Sequence, residues 1–335
     1  MNITILGGGG FLGRRVAAHL ARTGTLGGKP VTALTLFDLH EPPPLDAPFP
    51  VTILAGDIVA LPAAAIPPGT DVIFHLAAVV SAQAEADYDL GRRVNVRGTD
   101  AVVDACRRIV DQGGKPPRVV FTSSVASFSG GQTANPGDDA RQVPANSYGA
   151  QKAAAELILA DAGRRGFMDT VSLRLPTVIV RPGRPNKAAS SFFSAIIREP
   201  LLGLQTELPV PDHFAAWVCS PRSATSWLLH AGALDSRDMG LDRGINPPGI
   251  SVTIAQLLAG LDAVKPGASA LVKRVPDPAI EAIVGTWPPL FTPTRSPTLG
   301  FAPHETVVEL IQAFIEDDLD ATRADRGMAG RGIAD

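Results

Sequence analysis

The run Asn2-Ile3-Thr4-Ile5-Leu6 leads straight into Gly7-Gly8-Gly9-Gly10, and Gly13 follows three residues later. Nothing else in the chain restricts the fold as much. The β-branched, apolar run reads as a strand, and from Phe11 to about Thr23 the residues Leu12, Val16, Ala17 and Leu20 recur at helical spacing before Gly24. A strand, a glycine turn and a helix in that order form a phosphate cradle. Residues without a β-carbon let backbone amides close on a pyrophosphate, and the helix N-terminus adds the positive end of its dipole. The glycines satisfy G-x-G-x-x-G at 8, 10 and 13 and G-x-x-G-x-x-G at 7, 10 and 13, so the register stays open.

The alternation continues. Strands are predicted over 31–37, 51–54, 71–76, 118–122 and 170–175, with helices over 95–110 and 147–162. Strands that alternate with helices predict an α/β fold whose parallel sheet is covered on both faces. Asp38 ends the second strand, where a carboxylate can accept hydrogen bonds from both hydroxyls of an adenosine ribose. That selects NAD. Arg14 and Arg15 keep NADP as the alternative, because a guanidinium there could meet a 2′-phosphate. Asp57, after the third strand, could accept from an adenine amino group.

A length of 335 residues predicts about two domains. With 45% hydrophobic and 19% charged residues the chain reads as globular, and a net charge of -3 without like-charge clusters argues against nucleic-acid and membrane partners. The partner is expected to be a small molecule. Cys106 and Cys219 lie too far apart for a zinc motif or a disulfide framework, and no apolar run reaches the roughly 18 residues of a membrane helix, so a cytoplasmic location is expected. After Pro176 the rhythm breaks into proline-rich, irregular segments. The expected organisation is a dinucleotide domain over 1–178, with 215–239 returning to it. A substrate domain follows over 179–214 and 240–319, then a disordered tail over 320–335. Thr253 and Gln256 form a capping box ahead of a predicted helix, and a closing helix is expected over 306–314.

The second chemical signal is Tyr148 with Lys152, four apart on one helix face. With two Tyr and six Lys in the chain, a Tyr-x-x-x-Lys would arise in roughly 4% of shuffled sequences on the geometry of i, i+4 neighbours. An ammonium beside the phenol is expected to pull its pKa down toward working pH, so that the phenolate can take a hydroxyl proton. Ser124 ends the fifth strand and could orient the same substrate oxygen; Ser123 competes for that part. His75 is expected in the pocket wall, and the remaining histidines have no metal-ligand spacing.

These motifs, with Asp57-Ile58, His75-Leu76-Ala77-Ala78, Asn95-Val96-x-Gly98-Thr99 and Leu299-Gly300-Phe301-x-Pro303, resemble the extended short-chain dehydrogenase/reductase family over about residues 1–315. The resemblance implies a doubly wound Rossmann sheet with a smaller C-terminal α+β substrate domain. It implies NAD held by Gly7, Gly10, Phe11, Leu12, Gly13, Asp38, Asp57, Ile58, Leu76, Ala77, Ala78, Asn95, Tyr148, Lys152, Pro176 and Val178. Asn95 would support the active-site helix. The usual Tyr-Gly of nucleotide-sugar members is Phe128-Ser129 here, and stretches 147–152, 174–183 and 191–201 are similar to members that oxidise a four-carbon sugar acid at C2. The implied catalytic set is Ser124, Tyr148 and Lys152, with Ser123, Ser124, Tyr148, Arg181 and Arg222 on the substrate. A small acid needs a cation; Arg174, Arg184, Lys187 and Arg198 are further candidates, with Arg181 or Arg222 preferred. An NAD-retaining sugar or nucleotide-sugar epimerase and a catalytically inactive dinucleotide-binding regulator are the alternatives. By family analogy the chain forms a homodimer through the helices beginning near Asn95 and Ser147.

Overall fold

The computed structural model describes residues 1–131, 135–183, 190–302 and 305–328. Strand β1 (Asn2–Leu6) and helix α1 (Phe11–Thr23) flank the glycine turn. They are followed by β2 (Ala33–Asp38), β3 (Val51–Ala55), β4 (Val72–His75), α2 (Gly98–Asp111), β5 (Arg118–Ser124), α3 (Ser147–Arg164) and β6 (Asp169–Leu175). The six strands and β9 (Gly244–Ile245) form one parallel sheet in the order β9-β6-β5-β4-β1-β2-β3. The order reverses at β1, so the crevice beyond the carboxyl ends of β1 and β4 is the place where such sheets bind ligands.

Alternation of side chains along the strands divides the core. Ile3, Ile5, Val72, Phe74 and Val120 face one way, onto Val16 and Leu20 of α1 and Trp227 and Leu228 of a later helix. Leu6, Ile73, Val119 and Phe121 face the other way, onto Val102 and Ile109 of α2 and Ala155 and Leu159 of α3. Both faces are therefore covered, as a parallel sheet requires.

Strand β7 (Thr177–Val178) opens the second half of the chain, which adds α4 (Ser191–Leu201), β8 (Ala215–Cys219), α5 (Pro221–Ala233), β9, β10 (Ile250–Thr253), α6 (Ile254–Val264), α7 (Val307–Asp317) and α8 (Leu319–Asp325). A three-stranded sheet, β10-β8-β7, packs with α4, α6 and α7 around Phe193, Ile197, Val218, Leu257 and Phe314. The capping boxes at Thr253/Gln256 and Thr306/Glu309 start α6 and α7.

The expected domain boundaries need three corrections. Of the segment 215–239 expected to return, residues 221–239 pack on the first domain, α5 against α1, Met239 in the same core and Ser236 bonded to Asp169, whereas β8 belongs to the small sheet because Val218 and Cys219 pair with Thr177 and Val178. Conversely, β9 comes from the expected substrate domain but closes the edge of the large sheet beside β6. The expected disordered tail is ordered through Met328: α8 buries Leu319 and Thr322, and Met328 packs on the second core. Residues 329–335 lie outside the described residues.

Candidate active site

The glycine turn resolves its own register. Gly7 has φ +90°, and a β-carbon on it would lie 2.7 Å from the Ala77 backbone nitrogen; one on Gly13 would lie 2.1 Å from the Gly7 carbonyl oxygen. The Gly10 N–H donates to the same Gly7 carbonyl at 3.1 Å. Gly7, Gly10 and Gly13 thus form the tight turn and bring α1 against β1. Asp38 sits on this cradle, its Oδ2 accepting from the Gly9 N–H at 2.9 Å and its Oδ1 from the Leu39 N–H at 2.7 Å. Arg15 is turned away into ion pairs with Asp317 and Asp318, so of the two arginines only exposed Arg14 is left near the turn. A cradle that β-carbons would fill, with a carboxylate at its rim, fits the diphosphate and ribose of NAD.

Other expected contacts are engaged within the protein. Asp57 caps the next turn through the Val59 N–H and pairs with Arg93. Asn95 is a correction as a cofactor ligand: it accepts from Val79 N–H and donates to the Val79 carbonyl and to Gln151 on α3 at 2.7 Å. Its amide ties the loop after β4 to the active-site helix. A π-helical turn over Arg93–Arg97 aims it there. His75 is a buried core residue, bonded through Nε2 to Thr99 Oγ1 at 3.1 Å, and burial pushes it down to about 3.

Beyond the ends of β1, β4, β5 and β6 lies a cavity of about 720 Å³ lined by Leu12, Leu76, Ala78, Ser124, Tyr148, Lys152, Pro176, Val178 and Arg181. Ser81, Gln83, Thr177 and Trp287 also line it. Thr177 is expected there from the family resemblance, beside Pro176 and Val178; sequence reasoning missed the other three, which come from the short helix Ser81–Ala86 and a loop, and none carries a spacing that marks it.

The Ser124 side chain and the Tyr148 phenol face each other across the cavity, near enough for Ser124 to act on the phenol. Lys152 Nζ lies 5.6 Å from the Tyr148 ring centroid and donates to the Thr122 carbonyl at 2.7 Å. The expected cause of phenol acidification needs correcting. Burial pushes the Tyr148 phenol up to about 12, and the groups that pull against it are Ser124, through its hydrogen bond, and Arg181, through its charge. Lys152, itself fully buried, is pushed down to about 7 by the same desolvation, with Glu156 opposing.

The competition between the serines is decided by Glu156. Ser123 also lines the cavity but is 3% exposed and donates its hydroxyl to Glu156, whereas Ser124 is the serine that acts on Tyr148. Glu156 also holds Arg174 in a buried ion pair at 2.9 Å. Arg198 pairs with Glu199. Arg222, a preferred candidate, is also corrected: it pairs with Glu316 and Asp317 and lines a separate groove beside α1 and α5. Arg184 and Lys187, like Pro303, lie outside the described residues. Among the described residues no carboxylate pairs with Arg181, whose half-buried guanidinium lies near enough to act on Tyr148. Among the same residues, no cluster of His, Cys, Asp and Glu could hold a metal ion, and no helix is long and apolar enough to cross a membrane.

The model of the NAD dependent epimerase/dehydratase family matches residues 3–213, and the chain belongs to that family. NAD is its cofactor. Two curated relatives cover nearly all of it. D-erythronate dehydrogenase of Cupriavidus necator is 44% identical over 95% of this chain and 98% of that protein, and D-erythronate dehydrogenase of Haemophilus influenzae is 37% identical over 95% and 100%. A crystal structure described as a nucleoside-diphosphate-sugar epimerase from Agrobacterium tumefaciens superposes with a TM-score of 0.91 at 42% identity, covering 95% of this chain and 94% of that one. L-threonine dehydrogenase from Phytophthora infestans shares the fold at a TM-score of 0.80 and 20% identity.

Proposed function

We propose that the protein oxidises D-erythronate to 2-dehydro-D-erythronate. In this reading the Tyr148 phenolate takes the proton of the C2 hydroxyl, and Ser124 holds that oxygen against it. The glycine turn and Asp38 would hold NAD, which would supply the acceptor for the C2 hydrogen and its electron pair. Lys152, fixed to the Thr122 carbonyl, keeps a positive charge or a donor beside the phenol ring. Arg181 takes the substrate carboxylate.

The observation that carries the reading is Arg181: a half-buried guanidinium without a carboxylate among the described residues, lining the cavity beside the candidate base. A guanidinium that can bind a carboxylate through two N–H groups, in the same cavity as a proton acceptor, suits a hydroxy acid. The cavity of about 720 Å³ must receive both the nicotinamide end of the cofactor and the substrate, which suits four carbons better than a nucleotide sugar. Two relatives named for D-erythronate point the same way.

The 42% identical structure described as an epimerase keeps the rival reading in view. Steady accumulation of NADH from D-erythronate supports oxidation. Interconversion of a nucleotide sugar without net NADH would replace it with epimerisation, and NAD binding without turnover of either would make the protein a regulator. We further place the enzyme in the cytoplasm as a homodimer built on α2 and α3. Support for the dimer is Leu157, 70% exposed on the outer face of α3.

A further inference from the structure

Val180, immediately before Arg181, has φ 57°. A β-branched residue in the left-handed region is strained and persists only where its surroundings over-determine it. Here they do. The Arg181 N–H donates to Ser194 Oγ at 3.2 Å, and the Arg181 carbonyl accepts from Arg198 Nη1 at 2.6 Å. Two residues on, the Gly183 carbonyl accepts from Arg326 Nη2 at 2.6 Å. The two clamping arginines share one carboxylate: Glu199 receives Arg198 Nε at 2.9 Å, Arg326 Nη2 at 2.9 Å and Arg326 Nη1. Arg198 and Glu199 are 2% and 4% exposed. The network therefore joins the end of helix α8 to the carbonyls of Arg181 and Gly183, while Ser194 holds the Arg181 N–H.

We propose that Arg326, acting through Glu199 and Arg198, is a positioning residue for Arg181, so that the C-terminal segment sets the aim of the guanidinium that takes the substrate carboxylate. The inference rests on Arg181 being that ligand. A buried Arg-Glu-Arg cluster costs desolvation and adds little stability over apolar packing. Its distinguishing feature here is where its donors end: on the carbonyls of Arg181 and Gly183, next to a strained residue.

The test compares Arg326→Met, Arg326→Lys, Val180→Gly, the double variants of Val180→Gly with each, and Arg181→Met. Each is assayed with D-erythronate and NAD well below its melting temperature, with NAD affinity measured separately. Arg326→Met is expected to raise KM for D-erythronate about tenfold with kcat within about twofold and NAD affinity unchanged, as loss of uniform substrate binding does. Arg326→Lys, which keeps the charge, recovers part of that loss. Glycine occupies the left-handed region without penalty, so in the Val180→Gly background the loss of Arg326 is expected to cost less. An equal KM effect in both backgrounds, or a parallel fall in NAD affinity, would reduce Arg326 to a structural anchor and overturn the proposal. Should Arg326→Met not fold, Arg326→Lys with and without Val180→Gly decides by the same criterion. Unchanged KM in Arg181→Met overturns the carboxylate reading itself; raised KM there with normal KM in Arg326→Met overturns only the positioning.

Discussion

Lys152 Nζ donates to the Thr122 carbonyl at 2.7 Å, two residues before Ser124 on the same strand end. One side chain therefore pins helix α3 to strand β5 and fixes the spacing between Tyr148 and Ser124. It also lies 4.6 Å from the Phe121 ring centroid, so its amine is held between a carbonyl and two aromatic faces.

Tyr148→Phe keeps the ring and removes the proton acceptor. Turnover of D-erythronate should fall by about 10²–10⁴, the usual worth of a positioned acid–base group, while NAD affinity stays near wild type. Lys152→Met should lower kcat as well, with a change in KM for NAD if the amine also reaches the nicotinamide ribose. Steady-state kinetics with a separate NAD titration measure both. Near-normal turnover in Tyr148→Phe would remove the phenol from the mechanism.

The pH profile carries a sign. Burial holds the Tyr148 phenol up at about 12, and Arg181 is one of the groups that lower it. If the phenolate is the base, kcat/KM for oxidation rises with pH through the alkaline limb, and Arg181→Met moves that limb to higher pH because a lowering charge is gone. A limb that stays in place in Arg181→Met, or moves to lower pH, contradicts the coupling.

Asp38 accepts the Gly9 N–H at 2.9 Å and presents its carboxylate at the rim of the glycine turn. Replacing it with Ala removes both the ribose acceptor and the charge that opposes a 2′-phosphate. NAD-dependent kcat/KM should fall about tenfold, with a smaller fall or a gain for NADP. Comparison of the two cofactors at fixed substrate reads the ratio, and a ratio that does not move assigns the selection elsewhere.

What the sequence could carry was local and periodic. The glycine turn, Asp38 and the Tyr148/Lys152 pair each depend on spacing within a few residues, and the structure places them around one crevice. The preference between Ser123 and Ser124 depended on Glu156, 33 residues away from Ser123 and invisible to any local pattern. Among the arginines the decision was one of subtraction: Glu156, Glu199, Glu316 and Asp317 occupy Arg174, Arg198 and Arg222, and none of those pairings has a sequence signature. The tail misled because its polar composition hides buried Thr322, Met328 against the second core and Arg326 on Glu199. The cause assigned to the phenol's pKa failed for a similar reason, since a lysine that is itself buried is driven toward its neutral form.

His75 gives a stability test independent of catalysis. It is 1% exposed, bonded to Thr99, and pushed down to about 3 by burial first and by Lys152 second. In the unfolded chain a histidine titrates near 6.5. Between those values the unfolded state binds a proton that the folded state refuses, so stability is retained above about 6.5 and lost as pH falls toward 3. The loss has a slope of up to about 1.4 kcal/mol per pH unit from this residue. His75→Gln, which cannot titrate, should start less stable at pH 7 through imperfect packing, yet lose less stability on acidification. Urea denaturation at intervals from pH 7 to pH 4 measures the difference in slope. Parallel curves for the two proteins would mean that the imidazole is protonated in the fold, and that its bond to Thr99 holds a cation rather than a neutral ring.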